Sequence, residues 1–135
     1  MSTTLVLSRI TFQGRHGATE IERRSLRAFE VDVEIDVPLD QACRSDHLGD
    51  TIDYREVAQI IVELGTAEPR HLLESLCGSM LERLVARFPA ARFRIELRKL
   101  CPPSCPGQPA HAAVRMDSAV SRQAREAIDL PLGLG

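Results

Sequence analysis

Between positions 29 and 37 the chain alternates without a break. Phe29, Val31, Val33, Ile35 and Val37 fall on one side, and Glu30, Asp32, Glu34 and Asp36 on the other. A strict period of two with acids on the second face predicts a half-buried antiparallel strand. Residues 5–13 predict another strand, but its apolar phase slips between Leu7 and Ile10, and a bulge near Ser8 accounts for the slip. Gly14 and Gly17 mark the turn or loop that follows. Asp53 is expected to open a helix, with Glu56 three residues on completing a capping-box-like pair. Tyr54, Val57, Ile60, Ile61 and Leu64 recur at the spacing of one helical face, and Gly65 and Pro69 end the pattern. Leu72, Leu73, Leu76, Met80, Leu84 and Val85 draw the stripe of a second helix, with Arg83 and Arg87 near its end and Pro89 as its stop. Residues 91–98 alternate again through Ala91, Phe93, Ile95 and Leu97. A proline-rich turn over 100–109 then leads to a last strand over 111–116.

The predicted order is β-β-α-α-β-β. One antiparallel sheet with both helices on one face makes a two-layer α+β domain over residues 1–117, followed by a polar tail over 118–135. Such a sheet has open edges, and oligomerisation into a closed barrel would remove them.

Composition narrows the function classes. The 135 residues suit one domain with one core, and 44% apolar with 27% charged residues is an ordinary globular balance. A net charge of −2, with acids and bases interleaved, provides no general field for nucleic acid or anionic lipid. No basic region precedes the few apolar residues at the start, and no apolar run reaches membrane-spanning length, so a cytoplasmic protein is expected. Cys43, Cys77, Cys101 and Cys105 lack the paired knuckles of a zinc site, and free thiols are the expectation.

Four stretches carry candidate chemistry. His16-Gly17-Ala18-Thr19-Glu20-Ile21-Glu22 lies between two strands, and alone would be a solvated turn. Ser45 to Tyr54 brings Asp46, Asp50 and Asp53 to the start of a helix, where acids suit the positive end of its dipole. Leu72-Leu73-Glu74 sets a carboxylate in the first turn of the second helix. Its two acceptor oxygens match the paired N–H donors of an amino-pyrimidine edge. Lys99 stands at the end of an alternating strand, a place where a lysine ordinarily just caps an edge in solvent.

Taken together and in this order, the stretches resemble the dihydroneopterin aldolase family. The matching elements are His16-Gly17 with Glu22, the strand start Phe29 to Asp32, Ser45 to Tyr54, Leu72 to Glu74, and Lys99 before Pro102-Pro103. They cover about residues 4 to 117, and several motifs agreeing in order are far more specific than any one alone. The resemblance implies a tunnelling fold of four antiparallel strands and two helices, assembled as tetrameric rings that stack into octamers. It implies a pterin site between subunits. There Glu74, with the backbone near Leu73, anchors the amino-pyrimidine edge, and Glu22 meets the trihydroxypropyl side chain. Tyr54 arrives from the neighbouring subunit, and Lys99 is the acid/base residue acting through water. Arg27 stands where the family usually has a glutamine, which bears on substrate choice.

The reaction so implied is retro-aldol cleavage of 7,8-dihydroneopterin to glycolaldehyde and 6-hydroxymethyl-7,8-dihydropterin, a step of folate biosynthesis. Breaking C1′–C2′ leaves an electron pair on C1′ that the substrate's own N5=C6 imine can accept. No metal, Schiff base or separate cofactor is then required, and the enzyme supplies proton transfers. Two alternatives stand beside this reading. One is an epimerase inverting C2′ of dihydroneopterin or its triphosphate, and the other is a catalytically silent pterin-binding ring protein.

Overall fold

In the computed structural model, which describes residues 1–119, the elements run in the predicted order with short helices added. The expected C-terminal tail beyond Ala119 lies outside the described residues. Strands β1 (Thr4–Gly14), β2 (Arg27–Asp36), β3 (Arg92–Leu100) and β4 (His111–Asp117) form one antiparallel sheet in the order β1-β2-β3-β4. Between β1 and β2 lies the single-turn helix α1 (Glu20–Arg23), and α2 (Asp40–Ser45) follows β2. The two long helices are α3 (Tyr54–Gly65) and α4 (Leu73–Arg87). Among the described residues no helix is long and apolar enough to cross a membrane.

The period-two pattern of β2 places Phe29, Val31, Val33 and Ile35 wholly inside, under the helices. From β3, Phe93, Ile95 and Leu97 join them, and Val57, Ile60, Ile61, Leu76, Met80 and Leu84 close the core from above. Helix α3 packs over β1, and α4 over β3 and β4. The phase slip in β1 is real: pairing with β2 shifts between Leu7 and Ile10. Arg9 takes a left-handed φ of 58° there, and its N–H reaches Asp32 at 2.7 Å. The extra residue restores Ile10 and Phe12 to the core side.

The other face of the sheet is a lattice of ion pairs. Register sets Glu30 opposite Arg98, Glu34 opposite Arg94 and Asp36 opposite Arg92. Arg98 sits among Glu30, Asp32 and Glu96, and Arg94 bridges Glu34 and Asp36. The Arg94 guanidinium, helped by the Thr4 hydroxyl, holds the Asp36 carboxyl down at about 2. One expected local contact is replaced. Asp53 does cap α3, accepting from the Arg55 N–H at 3.0 Å, but Glu56 does not complete a capping box. Its carboxylate instead takes the Arg87 guanidinium of α4 at 2.6 and 3.1 Å, a two-point charged contact stronger than a bond to one backbone N–H.

Candidate active site

The end of the sheet where β1 stops, β2 begins and β3 stops gathers the chemistry. Lys99 pairs in register with Phe29 and so points to the helix side, where it is only 5% exposed. An ammonium taken out of water needs partners. Its Nζ donates to the His16 carbonyl at 2.8 Å and forms an ion pair with Glu22. Three N–H groups with two acceptors leave one donor for a substrate or a water.

Glu22 is held by its own helix. Thr19 is the N-cap of α1, and a complete capping box has its hydroxyl accept from the Glu22 N–H at 3.2 Å while the Glu22 carboxylate accepts from the Thr19 backbone N–H at 3.4 Å; the Thr19 hydroxyl also donates to that carboxylate at 3.1 Å. The hydrogen bond from Lys99 lowers the Glu22 pKa against the opposing effect of burial, so the carboxylate stays ionised. Close packing fixes the loop beneath it, since a Cβ on Gly17 would lie 2.4 Å from the Glu22 Cβ. Arg23 adds bonds to the Gly17 and Ala18 carbonyls at 3.0 and 2.8 Å.

His16 is not part of a solvated turn, because its side chain is 0% exposed. Nε2 lies 2.7 Å from the Gly65 carbonyl, which can only accept, and Nδ1 lies 3.0 Å from the Arg70 N–H, which can only donate. The partners therefore select the neutral tautomer with hydrogen on Nε2. Burial lowers the His16 pKa, and the positive charges of Arg70 and Lys99 add to the effect. The ring meets Phe29 edge-on with centroids 5.3 Å apart.

Glu74 sits in the first turn of α4, exposed, with no hydrogen bond or ion pair among the described residues. Leu72, the N-cap, offers no side-chain acceptor, so among the described residues the first N–H groups of α4, from Leu73 onward, have no capping side chain. Arg70, clamped to the His16-Gly17 loop through both its backbone atoms, reaches the Ser75 hydroxyl at 2.8 Å and sets the start of α4 beside that loop. Tyr54 is elsewhere. It begins α3, whose other end, Gly65, is the one bonded to His16, and 12 helical residues span about 16 Å. Tyr54 is 58% exposed. One chain thus unites Glu22 with Lys99 and sets the start of α4 beside their loop, while Tyr54 stays at the far end. A concavity of about 510 Å³ on the charged sheet face, lined in part by Asp32, Arg94 and Glu96, contains none of these residues.

The sequence marks Glu22, Lys99, Glu74, Leu73 and Tyr54, but not the work of His16, Thr19 and Arg70. Thr19 carried a signal, the Thr-x-x-Glu spacing of a capping box. For His16 the hint was its place between Gly14 and Gly17, two positions where backbone comes too close for a Cβ. Arg70 acts mainly through its backbone, which leaves no trace in residue identity.

The fold is an α+β domain, a four-stranded antiparallel sheet under two helices, with a buried lysine paired to a carboxylate at the end of the sheet. The chain belongs to the FolB dihydroneopterin aldolase family, whose pattern matches residues 5–117. It is 35% identical over 100 residues to the dihydroneopterin aldolase of Streptococcus pyogenes serotype M18, covering 73% of this chain and 84% of that one. Solved structures share the fold. The E. coli dihydroneopterin aldolase in complex with neopterin superposes with a TM-score of 0.79 at 21% identity, over 85% of this chain and 97% of that one. The Burkholderia thailendensis enzyme bound to guanine gives 0.70 at 22% identity, over 86% and 89%. The architecture is the tunnelling fold expected from the sequence.

Proposed function

We propose that this chain cleaves 7,8-dihydroneopterin by a retro-aldol reaction, releasing glycolaldehyde and 6-hydroxymethyl-7,8-dihydropterin, with Lys99 and Glu22 as its proton-handling pair. The observation that carries the proposal is the Lys99 ammonium, buried and held between the His16 carbonyl and the Glu22 carboxylate with one N–H to spare. Membership of the dihydroneopterin aldolase family supports the same reaction.

The assigned roles follow from chemistry. The ionised Glu22 accepts a hydrogen bond from the trihydroxypropyl chain. Lys99, through a bound water, serves the 2′-hydroxyl and N5. As the 2′-hydroxyl gives up its proton, C2′ becomes the aldehyde carbon and the C1′–C2′ pair moves into the C6=N5 system. N5 gains a proton, and later C1′ is protonated as N5 releases one. Protein groups poised for such transfers contribute about 10²–10⁴ in rate. Glu74 takes the 2-amino and adjacent ring N–H groups of the pterin, and the N–H groups near Leu73 suit its carbonyl oxygen.

Tyr54 completes the site from a neighbouring subunit. Its separation from the His16 end of its own α3, together with open outer edges on β1 and β4, supports a ring, taken here as a tetramer stacking to an octamer. Four free thiols, Cys43, Cys77, Cys101 and Cys105, accord with a cytoplasmic setting. Turnover of 7,8-dihydroneopterin and of its triphosphate, with glycolaldehyde as readout, tests the proposal. Aldehyde release supports it, C2′ inversion without aldehyde identifies an epimerase, and binding without either identifies a silent ring protein.

A further inference from the structure

Of the groups buried at this end of the sheet, the His16 ring is the one to which the reaction above gives no task. We propose that His16 is a positioning residue for Lys99, its ring fixing in space the backbone carbonyl that orients the ammonium. The inference rests on the assignment of Lys99 as the proton-transfer group.

The connections run in one direction. The Lys99 Nζ donates to the carbonyl of His16 at 2.8 Å. The ring of the same residue donates to the Gly65 carbonyl at the end of α3, at 2.7 Å, and accepts from the Arg70 N–H on the approach to α4, at 3.0 Å. The next residue adds a bond from the Gly17 N–H to the Arg70 carbonyl at 2.9 Å. The end of α3 and the segment leading into α4 thereby hold the loop. Phe29, the register partner of Lys99, packs against the ring, so the strand beneath the lysine and the carbonyl beside it share one support. Gly14 admits the ring, since a Cβ there would lie 2.7 Å from its Cδ2 and Nε2.

A lysine has four rotatable bonds, and its ammonium alone does not define a direction. A carbonyl fixed at one place and a carboxylate at another leave one N–H aimed outward. Misplacement of a catalytic group by about 1 Å costs on the order of 10²-fold in rate. A residue that merely filled space would instead affect folding, and through it the number of sites.

Two substitutions separate these roles. His16→Gln keeps one donor and one acceptor on the side chain. His16→Phe keeps an aromatic ring against Phe12 and Phe29 but can make neither bond. Sites are counted by fluorescence titration with 6-hydroxymethyl-7,8-dihydropterin, and kcat is expressed per titrated site. The expected result is a kcat per site for His16→Phe at least about tenfold below that of His16→Gln, with dissociation constants for the titrant within about threefold. Equal values per site, or a faster His16→Phe, overturn the proposal, as does a loss confined to the number of sites. Should His16→Gln yield no folded protein, His16→Asn replaces it, and should His16→Phe fail, His16→Leu replaces it, with the same criterion between the bonded and the unbonded variant. A parent chain that releases no glycolaldehyde refutes the functional reading itself. An active parent with indifferent His16 variants refutes only the positioning role.

Discussion

Glu22 and Lys99, 77 positions apart in the chain, form one ion pair at the end of the sheet, with the lysine almost wholly buried beneath the loop that carries its partner. The pair favours the ionised form of Glu22 and closes the loop between β1 and β2 over the third strand. Its pH dependence follows. Because the folded Glu22 pKa lies below the ordinary 4.5, the pair's contribution to stability is complete above that value and is lost as pH falls through the lower, folded value. Glu22→Gln should lose stability at neutral pH, where the parent has the pair, by about 1–3 kcal/mol for a buried donor left with one partner fewer. Below pH 4.5 the gap between parent and variant should shrink. Urea unfolding at fixed protein concentration, compared at pH 7 and below pH 4.5, measures both; a gap that widens with acid contradicts the assignment.

Lys99→Ala should reduce single-turnover release of glycolaldehyde by about 10²–10⁴ while product affinity changes far less. Lys99 is buried and assigned the proton transfers, whereas the exposed Glu74 is the group proposed to anchor the pterin. A variant retaining turnover within a few-fold of the parent would remove Lys99 from the chemistry.

Glu74→Ala should weaken binding of 6-hydroxymethyl-7,8-dihydropterin by roughly 1.5–3 kcal/mol for each charged hydrogen bond lost. Since Glu74 is exposed and unpaired among the described residues, thermal stability of the free protein should hardly change. Calorimetric titration and a melting curve read the two separately. Unchanged affinity would reduce Glu74 to a first-turn charge.

Gly65→Ala should destabilise without touching the reacting groups directly. Its Cβ would stand 2.5 Å from the Phe12 ring, which is itself stacked on Phe29 with centroids 5.3 Å apart. Overpacking of this kind costs about 1–3 kcal/mol. The ring cannot retreat without moving Phe29, the register partner of Lys99, so activity should fall along with the urea midpoint. An unaltered midpoint would mean that the end of α3 yields freely.

Tyr54→Phe and Glu74→Ala subunits, each inactive alone, should recover partial activity when refolded together. In a mixed ring some interfaces join an intact Tyr54 of one subunit to an intact Glu74 of the next, and every interface of a cyclic ring repeats the same contact. Mixed rings without recovery would place the whole site in one chain. A fully active monomer in sedimentation would dispose of the ring.

Element order and the facing of each strand and helix were decided locally. Phe29, Val31, Val33 and Ile35 alternate because a strand's side chains alternate, and the slip at Ser8 could be read as a bulge because the period itself reports the backbone. Candidate residues were legible for a similar reason, since Glu22, Tyr54, Glu74 and Lys99 stand in a familiar order along the chain. What they touch was not legible. The acids of β2 read as the outer side of a half-buried strand, but register brings Arg94 and Arg98 of β3 against them, more than 55 positions later. Glu56 has the spacing of a local cap, but Arg87, 31 residues on, offers two charged bonds and takes it. Lys99 continues the inward phase of Phe93, Ile95 and Leu97, and His16 lies between two glycines, but neither sign names a partner. Both are inside because β1, β3 and the ends of α3 and α4 meet at one point, and only there do a carbonyl, a carboxylate and a neutral imidazole find partners that water would otherwise provide. Periodicity is a property of neighbours in sequence, whereas the desolvation that makes these contacts matter is a property of neighbours in space.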